Sequence, residues 1–394
     1  MSWYVPFHKL SDEQRMMATD AVDNLDRIVW VKGCAGVGKT TVLFQMAEIF
    51  RQKYPDKSIA IVTFTRALVE MLQMSLEGYQ DITNAKVMTY NYFIRQPLHF
   101  DFVFLDEVQD VTEWDLWQIK RKSEHLYVAG DFNQQIYQDT ISEKILLDML
   151  NPRISELKEV YRLTKTVANV SNHILPNSNI LAGQFANTNA DTTAKLIRFN
   201  DIHDEYEWLV NESTQRARAF KPNVILFSYH SNSKNPIASL ENFCKFLANK
   251  YSFKIRYSGT QLDYFDFNKK MDEIDLNFRF FGNGKGSLAV SDTKPIVYLM
   301  LFHSAKGLDF QSVFIPCINE EREFWRRDDT QELQSRLLFV ATTRTRQDLF
   351  LSYHSDKPHK FLENIDTSYL IHHTELMSQN TTADIEANDE EDYF

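Results

Sequence analysis

The fold prediction starts from residues 33–40, Gly33-Cys34-Ala35-Gly36-Val37-Gly38-Lys39-Thr40. This stretch has a glycine, four residues and then Gly-Lys-Thr, and it lies between the apolar run 28–31 and the helical pattern 42–50. A strand that leads through a glycine turn into a helix directs backbone N–H groups at a phosphate. The pattern predicts a phosphate-binding loop, in which Lys39 reaches the outer phosphates and Thr40 binds Mg2+. A chance match in a glycine-rich turn is the alternative, and the strand and helix on either side disfavour it.

Composition is typical of a soluble globular protein. The 394 residues are 43% hydrophobic, which predicts two or three domains. No apolar run has the eighteen or so residues that a membrane helix needs, and the N-terminus shows no basic region followed by an apolar one. Three cysteines, Cys34, Cys244 and Cys317, have no metal-ligand spacing. We therefore expect a cytoplasmic monomer with reduced thiols and no membrane contact.

The net charge of -11 is concentrated at the C-terminus. After Lys360 there are nine acidic residues and no Lys or Arg, so residues 1–360 carry a charge of only about -2. A nearly neutral body can hold a basic groove for nucleic acid, although the total charge argues against that partner. Residues 374–394 are predicted to be a disordered acidic tail. Such a tail serves either as a solubilising end or as a docking segment for a partner protein.

Apolar runs alternate with helical patterns in two successive series, which is typical of parallel sheets. The predicted strands are 28–31, 58–64, 87–90, 100–105, 124–131, 194–199, 223–227, 296–301, 312–316 and 348–353. The predicted helices are 8–26, 42–50, 67–76, 165–175, 203–219 and 333–342. We predict an α/β protein with one domain at 1–148 and a second at 149–373. A loop or small insertion is expected at about 258–293.

A second chemical signal is the strand 100–105, which ends on Asp106-Glu107. Ligands of parallel sheets bind at the carboxyl edge, so both carboxylates would lie beside the phosphate loop. Asp106 is predicted to hold Mg2+, and Glu107 to orient and deprotonate an attacking water. Another predicted strand ends on Gly130-Asp131 and is followed by Gln134, an amide suited to sensing a terminal phosphate. A simple turn rich in amides is the alternative for Gln134.

An ordered set of segments resembles the UvrD/Rep/PcrA group of superfamily 1 DNA helicases, whose two RecA-like domains close on ATP. The segments are Leu10–Gln14, Gly33–Thr40, Thr63–Thr65, Leu105–Asp110, Gly130–Tyr137, Glu159–Arg162, Leu301–Phe310 and Arg336–Thr345. The resemblance implies that Gln14 hydrogen-bonds adenine, that Tyr161 stacks on it, and that Gln134 senses the γ-phosphate. It also implies that Arg162 and Arg344 are arginine fingers from the second domain.

The resemblance extends these assignments to a full set of site residues. The catalytic residues would be Lys39, Glu107, Gln134, Arg162 and Arg344, with Thr40 and Asp106 as Mg2+ ligands. The ATP-binding residues would be Gln14, Gly33, Gly36, Gly38, Lys39, Thr40, Thr41, Tyr161, Gly307 and Asp309. The contacts to single-stranded DNA would be Phe64, Arg66, Thr89, Tyr90, Tyr137, His303 and Ser304. For Phe64 and Tyr90 core packing is a serious alternative, and His303 would otherwise be a satisfied loop histidine.

The family resemblance implies an ATP-dependent DNA helicase or translocase that moves 3′ to 5′ on single-stranded DNA, with RNA left open as a substrate. The chain departs from the family in its reduced insertions, in a missing Trp-Arg pair and in Asp309, where relatives commonly have Glu. Only a short segment separates Tyr90 from the strand at Phe100, where relatives carry a helical subdomain, and Gln138-Asp139 replaces a Trp-Arg pair that helps to stack bases. An ATP-gated switch that regulates a partner nuclease or a repair or defence protein is therefore the alternative function. A P-loop kinase is disfavoured because it would not need the later segments.

Overall fold

The computed structural model describes residues 5–76, 85–186, 193–228, 238–282, 284–320 and 330–374. The predicted acidic tail lies outside this part of the chain, apart from Thr374. The helices are α1 (Asp12–Asp23), α2 (Lys39–Lys53), α3 (Arg66–Leu76), α4 (Tyr90–Arg95), α5 (Glu113–Arg121), α6 (Glu143–Leu150), α7 (Lys165–Ile174), α8 (Ile202–Arg216), α9 (Ala238–Lys250), α10 (Tyr264–Glu273) and α11 (Gln331–Thr342). Among the described residues, no helix is both long enough and apolar enough to cross a membrane.

The strands divide between two main sheets and two small pairs. They are β1 (Val29–Lys32), β2 (Ile59–Thr63), β3 (Lys86–Thr89), β4 (Phe100–Leu105), β5 (Ser123–Gly130), β6 (Arg153–Glu156), β7 (Glu159–Val160), β8 (Gln184–Phe185), β9 (Ala194–Arg198), β10 (Asn223–Phe227), β11 (Tyr257–Ser258), β12 (Gln261–Leu262), β13 (Phe278–Phe280), β14 (Val297–Leu301), β15 (Phe310–Ile315), β16 (Thr345–Tyr353) and β17 (Ile371–Thr374). Each predicted strand has an observed counterpart, and for β4 and β10 the bounds agree at both ends.

The first sheet has six parallel strands in the order β3-β2-β4-β5-β1-β6. Its central strands are continuous apolar runs because helices cover both faces, and all five residues of β2 are buried. The sheet continues past residue 148 to Glu156, since β6 pairs with β1. This edge strand, Arg153-Ile154-Ser155-Glu156, escaped prediction because none of its residues is buried.

The second sheet has seven parallel strands in the order β13-β14-β10-β15-β16-β9-β17. The segment 258–293, predicted to be a loop or small insertion, contains α10 and the strand β13. Because β13 pairs with β14, part of this segment is an edge of the sheet itself. A strand of three residues between charged segments has too little pattern to predict.

The two sheets are joined by direct contacts as well as by the chain. The carboxylate of Glu70 on α3 accepts hydrogen bonds from Ser287 Oγ at 2.6 Å and from the Leu288 N–H at 2.7 Å. Buried apolar residues from both sheets, including Val31 and Met300, belong to one continuous core. The predicted α/β class is confirmed, and the two parallel sheets are consistent with two RecA-like domains. The loops that follow β4 and β5 in the first domain contact Lys306, in the loop after β14, and Arg344, just after α11.

Candidate functional site

The phosphate loop connects β1 to the N-terminus of α2. Gly36 and Gly38 have φ angles of 84° and 86°, which lie in the left-handed region that favours glycine. A Cβ on Gly38 would lie 2.6 Å from Nε2 of Gln14, so a larger residue there would also displace the end of the Gln14 side chain. No side chain caps the first turn of α2. Its N–H groups therefore point into the loop and can bind an anion, as helix N-termini do.

Lys39 and Thr40, in the first turn of α2, lie beside the carboxylate that follows β4. The ammonium of Lys39 donates to the carbonyl oxygens of Gly33 at 2.9 Å and Cys34 at 3.0 Å. The hydroxyl of Thr40 donates to Asp106 Oδ2 at 2.6 Å. Burial, together with the neighbouring Glu107 charge, raises the pKa of Asp106 to about 7. A hydroxyl and a carboxylate at hydrogen-bonding distance are a hard-oxygen donor pair that fits Mg2+, and a cation there would favour the ionised form of Asp106.

Glu107 is held in a fixed orientation at the floor of the site. Its backbone is left-handed with φ of 55°, an uncommon conformation for a residue other than glycine. Its Oε2 accepts a hydrogen bond from Gln109 Nε2 at 2.5 Å. Burial alone would raise the pKa of Glu107, but the positive charges of Lys306 and Lys39 outweigh it and lower that pKa. The side chain is therefore an ionised carboxylate, as a general base requires.

Lys306, from the loop after β14, is a site residue that sequence reasoning missed. Its ammonium is fully buried and lies 2.5 Å from Asp110 Oδ2 and 3.9 Å from Glu107 Oε2. It also donates to the backbone oxygen of Gln134 at 2.5 Å. Lys306 belongs to a segment that the sequence analysis had quoted, but only the approach of the second domain to the first shows which carboxylates it neutralises.

Arg344 connects the second domain to the first through Gln134. Its guanidinium is 1% exposed and donates to the carbonyl oxygen of Leu308 at 3.2 Å and to Gln134 Oε1 at 3.2 Å. The amide nitrogen of Gln134 in turn donates to Asp131 Oδ2 at 2.8 Å. Burial and the nearby Arg162 charge lower the pKa of Arg344 to about 9. The structure thus places the predicted sensor and one predicted finger in direct contact.

Arg162 links the phosphate loop to the second domain, because its backbone N–H donates to the Gly36 carbonyl oxygen at 3.3 Å and its side chain is paired with Asp309. Its Nη1 is 3.7 Å from Asp309 Oδ2, and Arg346 donates to the other oxygen of Asp309 at 2.7 Å. Arg346 is a second residue that sequence reasoning did not single out. It directly follows Thr345, the last residue of the segment Arg336–Thr345, so its charge and its position next to that segment were the available signal.

These side chains surround a cavity of about 600 Å³ between the two domains. Predicted residues that line it are Gly36, Gly38, Lys39, Thr40, Thr41, Glu107, Gln134, Tyr161, Arg162, Gly307, Asp309 and Arg344. Three predicted residues, Gln14, Gly33 and Asp106, are not part of the lining. The amide of Gln14 donates to the Val37 carbonyl oxygen at 3.0 Å and accepts from the Ser11 N–H at 3.2 Å. The Gln14 side chain therefore supports the phosphate loop through Val37 and does not line the cavity.

A second cavity, of about 810 Å³, is a groove that the two domains also share. Its lining includes the predicted DNA contacts Phe64, Arg66, Thr89, Tyr137, His303 and Ser304. Phe64 lies 4.3 Å from Tyr137 between ring centres, and Tyr137 lies 5.7 Å from His303. Tyr90 does not line the groove, but its ring stacks on Phe64 at 5.2 Å. Tyr90 begins α4, where the sequence predicted the end of a strand, because Thr89 caps that helix.

The comparisons with known proteins agree with this architecture. An AAA domain model matches residues 17–140, and the UvrD-like helicase C-terminal domain matches residues 264–356. The ATP-dependent DNA helicase PcrA of Staphylococcus aureus (strain Mu50) is 33% identical over 100 residues, which are 21% of this chain and 14% of that protein. PcrA from strain NCTC 8325 matches equally.

The solved structures that match this chain include two with low TM-scores. The arterivirus nonstructural protein 10 helicase in complex with DNA has a TM-score of 0.42 at 15% identity, covering 89% of this chain and 64% of that one. The C-terminal domain of a possible DNA helicase from Lactobacillus plantarum WCFS1 has a TM-score of 0.33 at 14% identity, covering 54% of this chain and 98% of that one.

A phosphate loop that faces basic side chains of a second parallel-sheet domain defines a two-domain P-loop nucleotide-binding protein. Within that class, the chain is similar to the UvrD/PcrA-like helicases, since residues 264–356 match the UvrD-like helicase C-terminal domain and 100 residues align with PcrA, in agreement with the sequence resemblance. The matched region covers only 14% of the length of the PcrA proteins.

Proposed function

We propose that this protein hydrolyses ATP with Mg2+ and uses the closing and opening of its cleft to move along single-stranded DNA in the 3′ to 5′ direction. The observation that carries the proposal is the 600 Å³ cavity with walls from both domains, next to a groove shared by the same two domains. The name of the related PcrA, an ATP-dependent DNA helicase, supports it.

Each wall of the cavity has a distinct chemical task in this proposal. The phosphate loop and Lys39 bind the β- and γ-phosphates, and Thr40 and Asp106 hold Mg2+, which supplies charge neutralisation to the phosphate oxygens. Glu107 orients a water in line with the γ-phosphate and accepts its proton. Arg162 and Arg344 stabilise the charge of the transition state from the opposite domain. Because neither wall is sufficient alone, hydrolysis depends on the approach of the two domains.

One loop of the second domain links the cleft to the groove. Its first residues, His303 and Ser304, line the groove, whereas Gly307 and Asp309 line the nucleotide cavity. Between them, Lys306 contacts the carboxylate of Asp110 and lies 5.9 Å from the centre of the Tyr137 ring. A change of charge near Glu107 on hydrolysis would act on this loop. The loop is therefore our candidate for the element that couples ATP hydrolysis to the grip on DNA.

Displacement of streptavidin tests directional movement. We expect the protein to remove streptavidin from the 5′ end of a biotinylated single strand, in an ATP-dependent manner, much faster than from the 3′ end. A translocase moving 3′ to 5′ pushes against the 5′ block, and Glu107→Gln serves as the inactive control. Removal from the 3′ end alone would reverse the proposed polarity.

The second candidate function is an ATP-gated switch that binds single strands and regulates a partner protein. It is favoured by the short connection between β3 and β4, where α4 is the sole helix in residues 90–99. The displacement assay separates the two functions. A switch would hydrolyse ATP in response to single-stranded DNA and yet leave streptavidin in place at both ends.

A further inference from the structure

Two tryptophans on α5 are exposed on the first domain, outside the nucleotide cavity and the groove. Trp114 is 62% and Trp117 is 39% exposed. Their rings stack with centres 5.0 Å apart, and the guanidinium of Arg121 lies 4.5 Å from the Trp117 ring centre. The spacing of three and four residues places all three side chains on one face of the helix. Exposed large aromatic groups in a cluster mark an interaction surface.

Most of the exposed charged residues on α4 and α5 are positive. Arg95 on α4 and Lys120 and Arg121 on α5 are exposed cations, whereas Glu113 is the exposed acid at the start of α5. Aromatic faces interleaved with cations bind single-stranded nucleic acids, because bases stack on the rings while phosphates pair with the charges. The chemistry of this face therefore complements a single strand.

The helix that carries the tryptophan pair adjoins α4, the helix that borders the groove. Both α4 and α5 begin at the carboxyl edge of the first sheet, after β3 and β4 respectively. Asn91, in the first turn of α4, lines the groove, and Tyr90 stacks on the groove residue Phe64. Helices α4 and α5 pack against each other. A strand that leaves the groove across α4 reaches α5 next.

We propose that Trp114, Trp117 and Arg121 form a stacking platform that binds the part of a single-stranded DNA extending beyond the groove. This inference rests on the proposed function, in which the groove takes single-stranded DNA. The platform supplies base stacking in a chain that has Gln138-Asp139 directly after the segment Gly130–Tyr137, where the resemblance would place a Trp-Arg pair. It lengthens the bound segment and does not take part in ATP hydrolysis.

The test measures how tightly oligothymidylates of two lengths bind to the unmodified protein and to the Trp114→Ala/Trp117→Ala variant. A strand of about 6 nucleotides fills the groove alone, and one of about 16 nucleotides also reaches α5, which matches the range of roughly 4 to 16 nucleotides that single-strand-binding modules cover. We expect the variant to bind the longer strand at least about fivefold more weakly and the shorter one unchanged, since stacking on an aromatic side chain has that effect or more per base. The matched control is Phe265→Ala, which removes a ring that is 75% exposed on α10 of the second domain.

A conservative variant separates stacking from a general effect on the fold. Trp114→Phe/Trp117→Phe should keep most of the affinity for the longer strand and lose the part of the DNA-induced tryptophan fluorescence change that arises at α5. Equal affinity of the alanine variant and the unmodified protein for the longer strand would overturn the platform and leave the pair as a surface for a partner protein. If the unmodified protein bound neither strand, the proposed function itself would fail.

Discussion

Replacing Glu107 with Gln should reduce the rate of ATP hydrolysis by about 10^2 to 10^4-fold, the usual contribution of a general base. The substitution keeps the size of the side chain and its hydrogen-bonding partner Gln109, but it removes the group that accepts the proton from water. ATP binding should persist, because Lys39 and the phosphate loop are unchanged. Phosphate release at saturating ATP measures turnover, and a fluorescent ATP analogue measures binding.

A matched control for this variant is Glu124→Gln, since Glu124 is an exposed carboxylate at the start of β5. We expect its turnover to equal that of the unmodified protein. Hydrolysis at the normal rate by Glu107→Gln would show that Glu107 is not the general base and that its carboxylate has only a structural role.

Replacing Arg344 with Ala should slow hydrolysis by about 10^3-fold, the lower end of the effect of an arginine finger. Arg344 belongs to the second domain, and its contact with Gln134 brings the charge to the cleft from the side opposite the phosphate loop. ATP should still bind, because the residues that hold the phosphates in the ground state come from the first domain. The expected signature is therefore a loss of turnover with nearly unchanged nucleotide affinity.

Since Arg344 is buried, its loss also removes hydrogen bonds that stabilise the second domain. Thermal unfolding of the variant should accompany the rate measurement, and Arg344→Lys tests whether charge alone is sufficient. The control Arg198→Ala removes an exposed arginine of β9 that pairs with Asp356. Full turnover in a folded Arg344→Ala protein would contradict the finger assignment.

The central strands could be predicted from sequence because they are uniformly apolar. The run 100–105 matches β4 at both ends, and its ending on Asp106-Glu107 indicated the position of two carboxylates before any contact was known. The edge strands β6 and β17 could not be predicted, since neither contains a buried residue and both therefore lack an apolar pattern.

The sequence could predict which residues of each motif belong to the site, but it could not predict the contacts between residues of different domains. Thr40 and Asp106 were expected to lie together because both follow strands of one parallel sheet at its carboxyl edge, Thr40 after the phosphate loop and Asp106 directly after β4. Lys306 and Arg346 were missed because their roles depend on which side chains the other domain brings within reach. The position of Gln14 behind the loop also follows from tertiary packing, since its amide is engaged by Val37 and Ser11.

The most direct test of the whole account is the steady-state ATPase rate with and without single-stranded DNA, with duplex DNA and single-stranded RNA as parallel samples. The cleft and the groove are built from the same two domains and joined by residues 303–309. We therefore predict that single-stranded DNA raises the ATPase rate many-fold, and that this increase is absent in Glu107→Gln. An ATPase rate that is the same with and without single-stranded DNA would contradict the coupling of the two sites and the motor function with it.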